Sequence, residues 1–179
     1  VIFLEEGDIA QLTTGGVRIV DIEGRDLARP VKEITWSAVA AEKAGFKHFM
    51  LKEIHEQSRA VTDMLRGRLQ HQPADALLDG TTLDVSGIRR LYILACGTSW
   101  HAALVGKYMI EQLARIQVEV DLASEFRYRN PVIGPGDLVV AVSQSGETAD
   151  TLAALKHARV RGAQIFCIAN VVDSSIARA

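Results

Sequence analysis

The chain has 179 residues, 48% of them hydrophobic and 23% charged, with 20 basic against 22 acidic side chains and a formal net charge of −2. That length holds one domain of ordinary size plus a smaller appendage, and the composition excludes a disordered chain. The balanced charge and the lack of a polybasic cluster argue against a nucleic-acid partner, so a small anionic ligand has to be held by local groups.

Residues 1–32 alternate in the manner of short strands. The run 1–4 is followed by a turn at Glu5-Glu6-Gly7-Asp8, a second run at 9–12, a hairpin turn at Gly15-Gly16, a third run at 17–22 and a turn at Glu23-Gly24-Arg25. This predicts a three-stranded antiparallel meander, too small to bury a core alone and so the end of a preceding domain. The start has neither an initiator Met nor a basic n-region, which fits a piece of a longer protein better than a signal peptide. No apolar run approaches the ~20 residues that span a bilayer, so no membrane partner is expected. Cys96 and Cys167 lie far apart in apolar runs. They offer neither a disulfide framework nor zinc spacing, which implies reduced thiols, a cytoplasmic location and no metal or cofactor.

Residues 33–86 form a second zone, a helical linker. Phe49, Ile54, Val61 and Leu65 recur at helical spacing within 45–68, with polar positions opposite. Lys52 and Glu53 read as solvated or at a subunit contact. Residues 70–84 read as a polar, Leu-rich connector of undetermined structure.

From residue 87 the rhythm becomes β-α-β-α. The fully apolar run at 91–95 predicts a central parallel strand buried on both faces, and 118–122, 138–142 and 164–168 predict three further strands. Between them fall helices at 100–114, 125–129 (opened by Ser124) and 148–161, the last closed by Gly162. The fold class is therefore α/β: a doubly wound parallel sheet, flavodoxin-like in three layers, preceded by the short meander and the linker.

In such a sheet ligands sit beyond the carboxyl ends of the strands, where the winding reverses. Two loops there are rich in glycine and hydroxyls, Cys96-Gly97-Thr98-Ser99 and Ser143-Gln144-Ser145-Gly146-Glu147-Thr148. Each can aim hydroxyls and backbone N–H groups at one anion, and each feeds a helix N-terminus. Side chains at Gly97 or Gly146 would block a close backbone approach. The plainer reading is that both loops only cap their helices, since Ser and Thr are favoured there. Neither loop has the three spaced glycines of a dinucleotide fold or the Gly-Lys-Ser/Thr of a P-loop, so the ligand is expected to be a phosphate without a nucleotide.

Other residues are read conservatively. Cys96 is weighed as an activated thiolate against a small buried residue, and the latter is preferred because no base is paired with it. His101 is taken as a helix-surface or packing residue, although it follows Ser99 closely. His48, His55, His71 and His157 show no metal-ligand pairing. Glu147 is assigned to orienting the loop or neighbouring backbone, because a carboxylate facing the phosphate would repel it. Arg127 and Arg129 pair either with neighbouring acids or with another subunit.

Ala95-Cys96-Gly97-Thr98-Ser99 and Ser143-Gln144-Ser145-Gly146-Glu147-Thr148-Ala149-Asp150-Thr151 resemble the paired signatures of the sugar isomerase (SIS) domain. More narrowly, the chain resembles the first of two such domains in the isomerizing glutamine–fructose-6-phosphate aminotransferase family, the glucosamine-6-phosphate synthases. Ala123-Ser124-Glu125-Phe126-Arg127-Tyr128-Arg129, Phe49-Met50-Leu51-Lys52-Glu53-Ile54-His55-Glu56-Gln57 and Phe3-Leu4-Glu5-Glu6-Gly7-Asp8-Ile9-Ala10 carry the likeness through all three zones. Ser58 departs from it, standing where the family usually has Pro.

The resemblance implies a hexose-phosphate site. Ser99, Ser143, Gln144, Ser145 and Thr148 would contact the phosphate of fructose 6-phosphate or glucosamine 6-phosphate, and Gly97 and Thr98 would lie against the sugar. It also implies that residues 1–32 are the last strands of a glutaminase-type domain, that 87–179 is a truncated first SIS domain, and that the assembly is a homodimer. The family's glutaminase nucleophile, sugar-side base and Schiff-base lysine match nothing here, so this chain would bind without turning over. The competing readings are a sugar-phosphate-sensing domain of a transcription regulator and a stand-alone sugar-phosphate isomerase or deglycase. The β-meander at the start argues against both.

Overall fold

The computed structural model describes residues 1–33, 42–72, 74–78 and 83–179, which divide into two units, Val1–Leu77 and Leu78–Ala179.

In the first unit, β1 (Ile9–Thr13) and β2 (Gly16–Val20) form an antiparallel hairpin in register from Ile9↔Val20 to Thr13↔Gly16. The expected third strand at 1–4 does not join it. Ile2 instead makes a single bridge to Val31, with Val1 and Lys32 exchanging backbone hydrogen bonds of 2.7 and 2.8 Å. An ion pair explains the difference. Asp8 ends the 5–8 turn by accepting the Glu5 N–H and meets the Arg29 guanidinium through two 2.8 Å bonds, which draws 29–32 alongside the start of the chain. Those Arg29 bonds hold the Asp8 carboxyl at about 2.

α1 (Phe49–Leu65) has the expected period, yet Phe49, Ile54, Val61 and Leu65 are exposed. The buried residue of this helix is Lys52, which corrects the reading of a solvated side chain. Its Nζ donates to the Glu42 carbonyl at 2.6 Å, so the aliphatic stem can be covered while the charge keeps a partner. The connector contains an antiparallel pair, β3 (Leu69–His71) with β4 (Ala74–Ala76). Three residues per strand are too few to show an alternation. Linker residues 34–41 and connector residues 73 and 79–82 lie outside the described residues.

The second unit runs β5 (Arg90–Ala95), α2 (Gly97–Leu113), β6 (Gln117–Leu122), α3 (Ala123–Tyr128), β7 (Asp137–Ser143), α4 (Ala149–Val160), β8 (Gln164–Ala169) and α5 (Ser175–Arg178). The four strands are parallel in the order β6-β5-β7-β8. Alternate side chains of β5 and β7 enter opposite cores, which is why those two runs are apolar throughout, whereas the edge strand β6 carries Glu119 and Asp121 on one face. Leu91, Ile93, Leu138 and Val140 pack with Ala103 of α2 on one face. Tyr92, Leu94, Val139 and Ala141 pack with Phe126, Ala154, Leu155, Ala158 and Ile176 on the other. Three alanines at 123, 154 and 158 let α3 and α4 approach the sheet closely. Fully burying side chains such as Leu94, Phe126 and Leu155 contributes roughly 1.5–3 kcal/mol each.

At the amino end of the sheet, Arg90 pairs with Asp137 across β5 and β7 at 3.0–3.2 Å, and Asp137 also accepts the Gly134 N–H at 2.9 Å. This closes the turn that delivers β7. The chain moves outward from β5 to β6 and then returns past β5 to β7 and β8, so the winding reverses between β5 and β7.

Candidate functional site

At that reversal the carboxyl ends of β5 and β7 stand side by side, with Ala95 registered on Val142. β5 gives way almost at once to α2 at Gly97, whereas residues 144–148 separate β7 from α4 at Ala149. The helix start at Gly97 is three residues earlier than the sequence pattern indicates, so Thr98 and Ser99 belong to the first turn of α2. The left-handed backbone at Gly97, φ +58°, permits this abrupt entry.

Between the two loops is a cavity of about 270 Å³. Gly97, Thr98, Ser99, Ser143, Gln144, Ser145 and Thr148, the seven candidates from the sequence, all line it, together with Cys96, Val142 and Thr151. Thr151 carries a signal the sequence reading left unused: it lies one helical turn beyond Thr148 and therefore on the same face. It is buried, and its hydroxyl meets the Cys96 thiol at 3.9 Å, joining the two loops at the floor of the cavity. Cys96 is half-buried and packs against the α4-side core.

The hydroxyls have distinct duties. Ser143 is buried and its Oγ accepts the Gly146 N–H at 3.0 Å; Ser145 Oγ accepts the Glu147 N–H at 3.2 Å. A hydroxyl that accepts one bond still has its proton to give, so both can donate into the cavity. Neither Cys96 at the N-cap of α2 nor Thr148 at the N-cap of α4 makes a side-chain capping bond. The capping explanation of these loops therefore finds no support in the geometry. The first-turn N–H groups of both helices keep their capacity to donate, with the positive ends of two helix dipoles behind them.

Among the described residues no lysine, arginine or carboxylate lines the cavity. The acid of the second loop and the one in the first turn of α4 are both engaged elsewhere. Glu147 accepts the Ser175 N–H at 2.8 Å, and its hydrogen bonds to Ser175 lower its pKa. Asp150 pairs with Arg127 at 3.2 Å. Arg129 bonds both Glu119 and Asp121 at 2.6 Å, so both arginines pair with neighbouring acids. His101 is exposed, with its ring edge-on to Trp100 at 5.1 Å, and does not line the cavity.

Gly146 is constrained for a reason other than ligand approach. Its φ is +68°, and a β-carbon there would collide with the Ser174 side chain. The site is thus a neutral, donor-rich pocket at two helix N-termini. It is suited to an oxyanion such as a phosphate monoester, whose oxygens can each accept several charge-assisted hydrogen bonds.

Among the described residues no helix is long and apolar enough to cross a membrane. No group of three or more His, Cys, Asp or Glu side chains there could hold a metal ion.

The SIS domain model matches residues 85–179. The chain is 49% identical, over 99% of its length, to a glutamine–fructose-6-phosphate aminotransferase [isomerizing] of Clostridium tetani, and 50% identical to the one of Symbiobacterium thermophilum. It spans 30% of the length of each. Among solved structures, the C-terminal domain of glucosamine-fructose-6-phosphate aminotransferase from Francisella tularensis superposes with a TM-score of 0.69 at 41% identity, covering 76% of this chain and 38% of that one.

Proposed function

The chain belongs to the SIS domain family, and on that premise we propose that the β5–β7 cavity binds the phosphate of a hexose 6-phosphate, fructose 6-phosphate or glucosamine 6-phosphate. The observation that carries this reading is the convergence of two uncapped helix N-termini and the Ser99, Ser143, Ser145 and Thr148 side chains on one pocket without a carboxylate. Gln144 adds an amide to the phosphate side, while Gly97 and Thr98 face the sugar.

The whole protein to which this chain corresponds would convert fructose 6-phosphate and glutamine to glucosamine 6-phosphate and glutamate. The names of the relatives and their identity along almost the entire chain support that assignment. In this scheme residues 1–32 close a glutaminase-type domain, 33–86 link it onward, and 87–179 form the first SIS domain. The chain grips the substrate, and the acid–base groups of the reaction come from outside it, so it binds without turnover. The protein works in the cytoplasm as a homodimer; exposed Val105, Tyr108, Met109 and Leu113 on α2 supply an apolar surface for a second subunit.

Calorimetric titration with glucosamine 6-phosphate, glucosamine and inorganic phosphate tests the site. The phosphorylated sugar should bind tightest, phosphate weakly and glucosamine least. Equal weak binding of all three would remove the assignment.

A further inference from the structure

The second loop is held from behind as well as from within. Three consecutive residues at the start of α5 each touch Gly146 or Glu147. Ser174 fills the space beside the Gly146 α-carbon, the Ser175 N–H donates to Glu147 Oε1 at 2.8 Å, and the Ile176 N–H donates to the Gly146 carbonyl at 2.9 Å. On the cavity side the same two residues donate their N–H groups to Ser143 and Ser145. Gly146 and Glu147 are therefore the points at which the back wall of the loop meets the hydroxyls lining the pocket.

We propose that Glu147 is a positioning residue for this site, aligning the Ser143 and Ser145 hydroxyls through the Ser175 backbone and making no contact with the bound anion. This inference rests on the hexose-phosphate reading and deepens it.

The chemistry favours this division of labour. A carboxylate turned into a phosphate pocket would repel the ligand, yet here it is absorbed by an N–H on the far side of the loop. Hydrogen bonds to the charged form hold it ionised, and the Arg178 cation lies close enough to add to this. The turn presenting Ser175 is fixed in its own right, since Arg178 donates to the Asp173 carbonyl at 2.8 Å. Donor alignment within a few tenths of an ångström depends on such supporting bonds.

The test uses the full chain with four variants, Glu147→Ala, Glu147→Gln, Ser175→Ala and Ser175→Pro, titrated with glucosamine 6-phosphate. Ser175 is the first residue of α5 and Ser174 has φ −62°, ψ 164°, so proline fits there; it removes the N–H together with the hydroxyl, whereas Ser175→Ala removes the hydroxyl alone. Glu147→Ala and Ser175→Pro should each weaken binding about tenfold, the loss of one charge-assisted bond. Glu147→Gln keeps an acceptor oxygen and should restore most of the affinity, and Ser175→Ala, which removes the hydroxyl beside Glu147 but keeps the N–H, should weaken binding less than Ser175→Pro. Amide hydrogen exchange provides a second arm that needs no ligand: Glu147→Ala should speed exchange at Gly146 and Ser175 while the α4 core amides stay protected.

Unchanged affinity in Glu147→Ala, or equal weakening by Gln and Ala, would overturn the inference while leaving the pocket intact. If the unaltered chain binds no sugar phosphate, the ligand reading falls, and the exchange arm still decides the role of Glu147. Unchanged exchange at Gly146 and Ser175 would overturn it.

Discussion

A β-carbon on Gly146 would collide with Ser174 Oγ, a buried hydroxyl with no hydrogen-bond partner among the described residues, and Gly146 also sits at φ +68°. Gly146→Ala should therefore lose about 1–2 kcal/mol to the left-handed backbone. Overpacking adds about 1–3 kcal/mol. At Gly97, φ +58°, no atom lies within 4 Å of an added β-carbon, so Gly97→Ala should show only the backbone part. Denaturant unfolding checks both. Adding Ser174→Gly to Gly146→Ala should recover the packing share alone, and full recovery would mean the backbone is unstrained.

The pocket hydroxyls separate by duty. Ser145→Ala and Thr148→Ala should each weaken hexose-phosphate binding by about 1–2 kcal/mol with little change in stability. Ser143→Ala should weaken binding similarly and also destabilise the fold by about 1–3 kcal/mol, because it strands the buried Gly146 N–H. Calorimetry paired with unfolding curves distinguishes the two patterns.

Much of this was legible beforehand. Strands buried on both faces are apolar throughout, so β5 and β7 stand out, and the alternation of strands and helices from 87 onward points to the doubly wound sheet. The two loops were legible because glycine and hydroxyls concentrate at the strand ends. What failed were features set by distant partners. Residues 1–4 alternate like a strand, yet the Asp8–Arg29 pair draws the far end of the segment against them. Lys52 reads as a surface residue until the Glu42 carbonyl supplies a partner ten positions away. Thr151 lies at the end of the second signature, but its burial against Cys96 is a tertiary fact that the local pattern does not carry. The partner of Glu147 lies 28 residues downstream, beyond any local pattern.

His157 sets a pH response in the mildly acidic range. Its Nε2 is buried with no hydrogen-bond partner among the described residues, its ring stands edge-on to Phe126, and burial followed by the nearby Arg161 charge lowers its pKa. The unfolded chain takes up the proton first, so stability should fall as pH drops below about 6.5 toward the lower folded value. His157→Gln should flatten the slope below about pH 6.5 relative to the parent. An identical slope in both would assign the effect to other groups.

Asp137 is fully buried while its partner Arg90 keeps 32% of its side chain exposed. Asp137→Ala removes the Arg90 pair and the acceptor for the Gly134 N–H together. Discounted for the solvent around Arg90, the loss should be about 2–4 kcal/mol, read from the unfolding midpoint.

The most direct test of the central claim is amide chemical-shift mapping during titration with glucosamine 6-phosphate. The account predicts that the largest shifts fall on residues 97–99 and 144–151, the first turns of α2 and α4 with the loop before α4, and that glucosamine leaves them unmoved. Shifts clustered elsewhere, or the same response to the unphosphorylated sugar, would contradict it.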